Sequence, residues 1–215
     1  MSLKKQINSS DVQSIKTAIS KNLNLVNKPI KWGPLLKNTS HPLHYLCDRV
    51  FSGDLKDRLA GNIAQLLIDN GADVNGYGFE PMKDTPLVAA SSLHADSVAF
   101  VLIEAGADIH HAGCLGGTAL HWAAWCGRDT VVRRLLKEKI DLDRRCIMNK
   151  STAFFWAAHG RANSGDKNLH NHLACARLLR DAGADTSIPN INDITAAELL
   201  KTDNAFQEIL LSDDN

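Results

Sequence analysis

The chain has 215 residues, of which 44% are hydrophobic and 22% charged, a composition typical of a folded protein and not of a disordered one. Its 24 Lys and Arg residues balance its 24 Asp and Glu residues, so no net charge draws it to nucleic acid or to an anionic membrane. The five cysteines are an odd number without a CxxC pair, which argues against a disulfide framework or a zinc ribbon.

The first residues carry charge but no apolar run, so they do not predict a signal peptide. No stretch approaches the roughly 18 apolar residues of a membrane span. We therefore expect a cytoplasmic protein with reduced cysteines and no membrane partner.

In chain order, residues 11–19 predict a lone amphipathic helix, and two landmarks then alternate. The first landmark reads His-Pro-Leu-His at 41–44, Thr-Pro-Leu-Val at 85–88, Thr-Ala-Leu-His at 118–121 and Thr-Ala-Phe-Phe at 152–155. The second reads Gly-Ala-Asp at 71–73, 106–108 and 183–185, with a degenerate Lys-Ile-Asp at 139–141. Successive Thr landmarks are 33 and 34 residues apart, which predicts repeated helix pairs.

Each landmark has a physical role in such a pair. Threonine caps the free N–H groups at the start of a helix, and proline is tolerated in the first turn. Leu-Leu or Leu-Ile pairs, as at 67–68 and 135–136, predict a shared core on the second helix. Glycine ends that helix because it adopts a left-handed backbone without steric strain. Residues 195–200 and 206–210 predict a final, more polar pair of helices.

This period, with a Thr-Pro-Leu-His-x-Ala opening, resembles the ankyrin-repeat family. The resemblance covers nearly the whole chain, and its best copy is 117–127 followed by 131–136. It implies an all-α solenoid forming one domain, with about four full repeats between helical caps. The boundaries expected are an N-cap at 1–39, repeats at 40–79, 80–112, 113–147 and 148–190, and a C-cap at 191–215.

Repeats one and four exceed the family length. The landmarks are 21 residues apart in the regular repeats, but 30 apart from His41 to Gly71 and 31 apart from Thr152 to Gly183. We expect long loops inserted between the two helices of these repeats, and such loops often carry function. A longer first helix is the alternative.

Catalytic chemistry is weakly represented. No GxGxxG, GxSxG or HExxH motif occurs, so we expect neither an enzyme nor a cofactor. His110, His111 and Cys114 cluster in an expected finger, but no fourth metal ligand is obvious, so we expect solvent-exposed finger residues there. Cys126 and His159 could face each other across adjacent repeats, but a nucleophilic pair would also need a lowered thiol pKa and an orienting third group, so we do not expect one. At the motif position of His44 and His121, the resemblance implies a histidine that ties hairpin to helix.

The resemblance also implies a binding face, made of the hairpin fingers and the exposed side of the first helices. Three of the four tryptophans fall on first helices of repeats three and four, and tryptophan is enriched at binding hot spots. Trp122 and Trp156 packing on each other is the alternative. The expected partner-binding residues are Tyr45, Met82, Asp84, Leu115, Trp122, Trp125, Met148, Asn149, Trp156 and His159.

The expected function is binding of another protein by a monomer, as an adaptor, inhibitor or antidote-type binder. Arg144, Arg145 and Lys150 on or near a finger predict contacts to acids on that partner. Nucleic-acid binding through basic and aromatic residues is an alternative that the neutral net charge disfavours. An enzyme with an unrecognised site is the other alternative.

Overall fold

The structure is a computed structural model that describes residues 2–36, 38–76, 83–164 and 171–211. Its contacts divide the chain into two compact units, one ending at Asp108 and the other beginning at Ile109. Below they are called unit 1 and unit 2. Within the described residues, no helix is long and apolar enough to cross a membrane.

Unit 1 is mostly helical and carries one small sheet. Strands β1 (Ile30–Trp32) and β2 (Asn38–Ser40) pair antiparallel, an element that the helical N-cap expected from sequence does not include. Helix α3 packs against α4 and α5, and α6 packs against α4 and α5. The helices are α1 (Lys4–Asn8), α2 (Val12–Lys21), α3 (Pro42–Phe51), α4 (Asp57–Asp69), α5 (Pro86–Ser92) and α6 (Asp96–Glu104).

Unit 2 arranges its helices in two layers. The helices are α7 (Ala119–Trp125), α8 (Asp129–Leu135), α9 (Ala153–Asn163), α10 (His172–Asp181), α11 (Ala196–Leu199) and α12 (Asn204–Leu211). First helices α7, α9 and α11 pack side by side, and second helices α8, α10 and α12 pack behind them. At the C-terminal end, Phe206 is fully buried with its ring centroid 5.7 Å from that of Phe154.

The helix starts agree with the sequence prediction. Thr85 and Thr152 each accept the backbone N–H three residues later, at 3.4 and 3.3 Å. Pro42 and Pro86 occupy the first turns of α3 and α5. At α3 the capping acceptor is His41, whose Nδ1 accepts the Leu43 N–H at 3.3 Å. The landmark motif therefore marks the start of each first helix.

Glycines end second helices, as predicted. Gly71, Gly106 and Gly183 have φ of +86°, +81° and +93°, in the left-handed region that glycine favours. The core lies between first and second helices, and each repeat contributes residues to it at equivalent positions. Its shared members are the leucines of the second helices, fully buried at Leu67, Leu102, Leu135 and Leu179.

The additional residues of repeat one are spread over three segments. Helices α3 and α4 have 10 and 13 residues, against 7 and 9 in α5 and α6. Relative to repeat two, seven of the nine additional residues lengthen the two helices and only two lengthen the connection between them. The long loop expected there is therefore not found, and the connection is the five-residue segment 52–56. Leu55 is buried, and Asp54 pairs with Arg49 at 2.6 Å. In repeat four, α9 has 11 residues, and 165–170 lie outside the described residues.

Candidate functional site

A cavity of about 150 Å³ opens in unit 2 between two first helices and two loops. The loops are called finger loop A (113–117) and finger loop B (146–151). The cavity is lined by Leu115, Trp122, Trp125, Asn149, Ser151, Phe155, Trp156 and His159.

Helical spacing brings the aromatic lining together. Trp122 and Trp125 lie three residues apart on α7, and Phe155 and His159 lie four apart on α9, with Trp156 beside them. Residues three or four apart share a helix face. Since α7 packs directly on α9, the two faces meet. The motif position thus determines where the indoles lie.

Trp156 is the centre of the ring cluster. It is only 5% exposed. Trp122 and Trp125 meet it edge to face, with ring centroids 5.1 and 5.8 Å away and interplanar angles of 83° and 70°. His121 adds a third edge contact at 5.3 Å. Edge-to-face geometry is a preferred aromatic arrangement, and Trp122 and Trp156 pack on each other in this way.

Trp125 is half-buried and held on two sides. Its indole stacks on His159 with centroids 4.5 Å apart and an interplanar angle of 27°. Its carbonyl oxygen lies 2.9 Å from Nε2 of buried His172 at the start of α10. A side chain at Gly160 would collide with that carbonyl. The position of Trp125 is therefore fixed by contacts within unit 2.

Finger loop A leaves room for the indoles through a glycine. A Cβ at Gly117 would lie 2.9 Å from Trp156 Cη2 and 3.1 Å from Trp122 Nε1. That Nε1 is buried, and no described residue accepts its hydrogen. A buried donor without an acceptor costs stability. The wall of the cavity therefore contains a buried donor without an acceptor among the described residues.

His121 ties the start of α7 to finger loop B and to Arg144 just before that loop, as the resemblance implies. Its Nδ1 accepts the Thr118 N–H at 3.2 Å, and its Nε2 lies 3.1 Å from the Arg144 carbonyl and 3.3 Å from that of Ser151. Burial lowers the pKa of His121 to about 4. The imidazole is therefore neutral at neutral pH, with Nε2–H as the donor to finger loop B.

The same role in unit 1 belongs to His41 and not to His44. His41 Nε2 donates to Asn27 Oδ1 at 2.9 Å, and burial lowers the pKa of His41 to about 4. The His44 side chain makes no hydrogen bond to any described residue. The expectation for His44 is thus wrong, because His41, at the helix cap, occupies the buried position that faces Asn27.

The chemistry of a nucleophile does not fit this site. Burial raises the pKa of the Cys126 thiol to about 11, whereas a nucleophilic cysteine needs a lowered pKa. His159 is engaged by the Trp125 ring, and burial lowers its pKa. No three His, Cys, Asp or Glu side chains in the described ranges are placed to hold a metal ion. His111, expected to be exposed, is buried.

The finger loops form a row of exposed apolar side chains beside the cavity. The Met148 N–H donates to the Leu115 carbonyl at 3.2 Å, and the Ile191 N–H donates to the Asn149 carbonyl at 2.8 Å. Finger loop B is thus hydrogen-bonded to finger loop A on one side and to loop 189–194 on the other. Ile147, Met148 and Ile191 are 56%, 52% and 57% exposed. The apolar surface therefore continues outward from the cavity.

Three cations lie on or next to finger loop B. Arg144 and Arg145 donate to backbone carbonyls, of His110 in one case and of Lys150 and Pro189 in the other. Among the described residues, Arg144, Arg145 and Lys150 form no ion pair. Of these three cations, Lys150 is next to the cavity, since it lies between the lining residues Asn149 and Ser151.

The structure separates the sequence-predicted site residues into groups. Six line the cavity, and Met148 lies beside it. Tyr45 is buried in unit 1, where its hydroxyl donates to Asn8 Oδ1 at 2.8 Å, so it presents no exposed ring. Asp84 is partly exposed in unit 1, and Met82 lies outside the described residues.

Phe155, Ser151 and the exposed isoleucines were absent from the predicted set. Phe155 stands where the motif has histidine, and that departure is the signal that could have placed it at the site. Ile147 and Ile191 had no such signal, because exposure of an apolar side chain in a loop depends on the loop's tertiary hydrogen bonds.

Comparison with known proteins supports the repeat assignment. A family model described as ankyrin repeats, in 3 copies, matches residues 59–146. The E3 ubiquitin-protein ligase XBAT32 of Arabidopsis thaliana is 31% identical over 155 residues, which cover 64% of this chain and 30% of the ligase. The chain thus spans less than a third of that relative.

The crystal structure of EF0377, an ankyrin-repeat protein, is similar with a TM-score of 0.74. The match covers 99% of this chain and 98% of that chain at 24% sequence identity, a similarity of fold. The matched repeats, the capped helix pairs and the glycine helix ends lead to the same conclusion. The chain has the ankyrin-repeat fold, and its residues 59–146 carry three ankyrin repeats.

Proposed function

We propose that this protein is a non-catalytic protein-binding module whose contact surface is the unit 2 cavity with finger loops A and B. The observation that carries the proposal is the preformed aromatic cavity, opening on a surface where Met148 and Ile147 are exposed. Aromatic side chains in a formed pocket are typical binding hot spots. Ankyrin repeats in general are protein-interaction modules, which supports the same function.

A role as an adaptor, an inhibitor or an antidote-type binder fits such a module. Ligase activity is not proposed, because the match covers only 30% of XBAT32. A reducing, cytoplasmic location is part of the proposal, supported by five free cysteines of which three are buried. Nucleic-acid binding is disfavoured, because basic residues such as Arg134 and Arg161 pair with Glu138 and Asp203.

The test compares three immobilised proteins in cell extract: wild type, Trp125→Ala and Arg133→Ala. A true partner is retained by wild type and by Arg133→Ala, since Arg133 is exposed on second helix α8. Titration of the purified partner should show Trp125→Ala weakened about thirtyfold or more, the equivalent of a 2 kcal/mol hot spot.

Melting curves of all three proteins accompany the titration. Loss of the Trp125 contacts to Trp156 and His159 should lower the melting temperature of Trp125→Ala modestly, without unfolding it at the assay temperature. Normal partner binding by folded Trp125→Ala, together with loss of binding by Arg133→Ala, would place the interface on the second-helix side and contradict the proposal.

A further inference from the structure

The size of the unit 2 cavity limits what can enter it. Its volume is about 150 Å³, and apolar protein cavities of roughly this volume accept a benzene-sized group. The walls are pre-positioned, because Trp156 is clamped by Trp122 and Trp125, and Gly117 leaves the space that their rings occupy. One side chain of a partner fits, and a helix or a strand backbone does not.

The electrostatics of the cavity favour a neutral occupant. None of its eight lining side chains is acidic, and burial keeps the pKa of His159 low, so that ring is neutral. Three indoles could attract a methylated ammonium group by cation–π contact. Such a cation would lack a carboxylate partner among the lining residues. It would also approach Lys150, which lies between the lining residues Asn149 and Ser151.

The cations next to the cavity favour acids on either side of that occupant. Finger loop B and the residue before it contain Arg145 and Lys150 and no acidic residue, whereas Asp141 and Asp143 precede them and Asp143 Oδ1 accepts the Asp185 N–H at 2.8 Å. The neighbouring loop 189–194 adds one exposed acid, Asp193, so these two segments next to the cavity together hold two cations and one acid. Arg145 is held in place by the Lys150 and Pro189 carbonyls, which leaves its charge fixed and without a carboxylate partner among the described residues.

From these observations, and resting on the function proposed above, we infer the chemistry of the partner. It is a protein segment that inserts one neutral, ring-sized apolar side chain into the cavity. Carboxylates flank that side chain and contact Arg145 and Lys150. The apolar group supplies hot-spot contact, and the carboxylates supply selectivity and rate of association.

Synthetic peptides test the inference directly. Each peptide has a central phenylalanine, alanine or trimethyllysine between either glutamates or lysines. Titration is followed by the indole N–H signals of the full-length protein in two-dimensional NMR, which detects millimolar binding. Trp32 is the internal control, because its Nε1 donates to Ser40 Oγ at 2.7 Å in unit 1. Signals of Trp122, Trp125 and Trp156 report the cavity.

We expect the phenylalanine–glutamate peptide to bind at least about tenfold more tightly than the alanine–glutamate and phenylalanine–lysine peptides. It should shift the three cavity signals and leave that of Trp32 unchanged. Lys150→Glu should lower its affinity about tenfold and raise that of the phenylalanine–lysine peptide. Lys137→Glu, an equal change at an exposed residue beyond helix α8, should leave both affinities unchanged.

Three results would overturn the inference: tightest binding by the trimethyllysine peptide, a preference for lysine flanks, or no cavity shift at millimolar phenylalanine–glutamate peptide. The proposed function and the inferred chemistry are distinguished by different results. If the captured partner depends on Trp125 while the peptide preference is reversed, only the inferred chemistry is wrong. If neither the partner nor any peptide depends on Trp125, both are wrong.

Discussion

At the scale of single residues, the uncharged imidazole of His121 links Thr118 at the start of α7 with Arg144 and Ser151. Its two nitrogens have opposite roles, with Nδ1 accepting from Thr118 and Nε2 donating to the Arg144 and Ser151 carbonyls. A second proton on Nδ1 would remove the acceptor and place a charge among buried groups. Finger loop B, and with it Asn149 of the cavity, therefore depends on the neutral ring.

This role predicts how stability changes with pH. Burial lowers the pKa of folded His121 from 6.5 to about 4, so between these values the unfolded state binds more protons. The contribution is complete above 6.5 and is lost as the pH falls to about 4. Its size is on the order of 3 kcal/mol. Urea unfolding at several pH values measures it.

The control for that experiment is His121→Gln, which removes the titrating ring. We expect this variant to be less stable at neutral pH but to lose less stability on acidification. His41, whose pKa burial also lowers to about 4, remains in both proteins and contributes equally to both curves. Parallel pH curves for wild type and variant would contradict the assignment of His121 as a buried neutral link.

At the scale of elements, the contact between α7 and α9 depends on small residues. Ala123, Ala124, Ala157 and Ala158 are fully buried, and they allow the two helices to approach closely. Gly160 extends this contact toward the Trp125 carbonyl and the ring of His172. Because both Trp125 and His159 lie on these helices, the distance between α7 and α9 fixes the width of the cavity.

Gly160→Ala should therefore be destabilising, although alanine has the higher helix propensity. Its Cβ would meet the Trp125 carbonyl and lie 2.8 Å from His172 Cδ2, and such overpacking typically costs about 1–3 kcal/mol. The matched control is Ala162→Gly on the same helix. Ala162 is exposed, so glycine there should cost at most about 1 kcal/mol.

Urea denaturation and partner titration are measured for both variants. Both quantities should change in Gly160→Ala, and only the urea midpoint should change in Ala162→Gly. Gly160→Ala should lower both the urea midpoint and the affinity for a partner, because α7 must move away from α9. Ala162→Gly should change the midpoint alone. A Gly160→Ala protein as stable as wild type would show that the two helices are not in close contact at this point.

The elements also show what the sequence could and could not predict. Helix starts and ends followed from local rules, since a cap at Thr152 or a left-handed Gly106 depends on a few neighbouring atoms. The facing indoles of Trp122 and Trp156 followed from the repeat, whose step is 34 residues at this point. The strand pair β1–β2 did not, because it occurs once and is supported by a tertiary hydrogen bond from Trp32 to Ser40.

Site residues divide in the same way. Trp122, Trp125 and Trp156 could be placed because helical spacing puts them on one face. Tyr45 holds the equivalent motif position in α3, yet the contacts of Asn8 and Trp32 bury it. Equivalent positions in a repeat thus share a backbone location but not an exposure, since the covering residues lie outside the repeat pattern.

At the scale of the whole molecule, the stabilising contact of Tyr45 and the proposed binding site lie in different units. Tyr45 belongs to the core of unit 1, and the proposed site belongs to unit 2. Tyr45→Phe removes the hydroxyl that donates to Asn8 and should cost about 1 kcal/mol of unfolding free energy. Partner affinity should be unchanged.

Calorimetric melting and partner titration of the same Tyr45→Phe preparation check this separation. The comparison protein is Trp125→Ala, for which partner affinity should fall about thirtyfold or more while the melting temperature falls only modestly. A loss of partner affinity in Tyr45→Phe at a temperature where the variant is folded would show that the interface includes unit 1. The proposal would then need a larger contact surface than the cavity and its two finger loops.

The clustering of three indoles has a consequence for how the protein can be observed. Rings 5.1 and 5.8 Å apart exchange excitation energy, so most of the intrinsic emission arises from a single coupled group in unit 2. Trp32 is the one tryptophan of unit 1. Emission therefore follows the loss of unit 2, while circular dichroism follows helices in both units. Agreement between the two optical transitions would mean that the chain unfolds in one cooperative step.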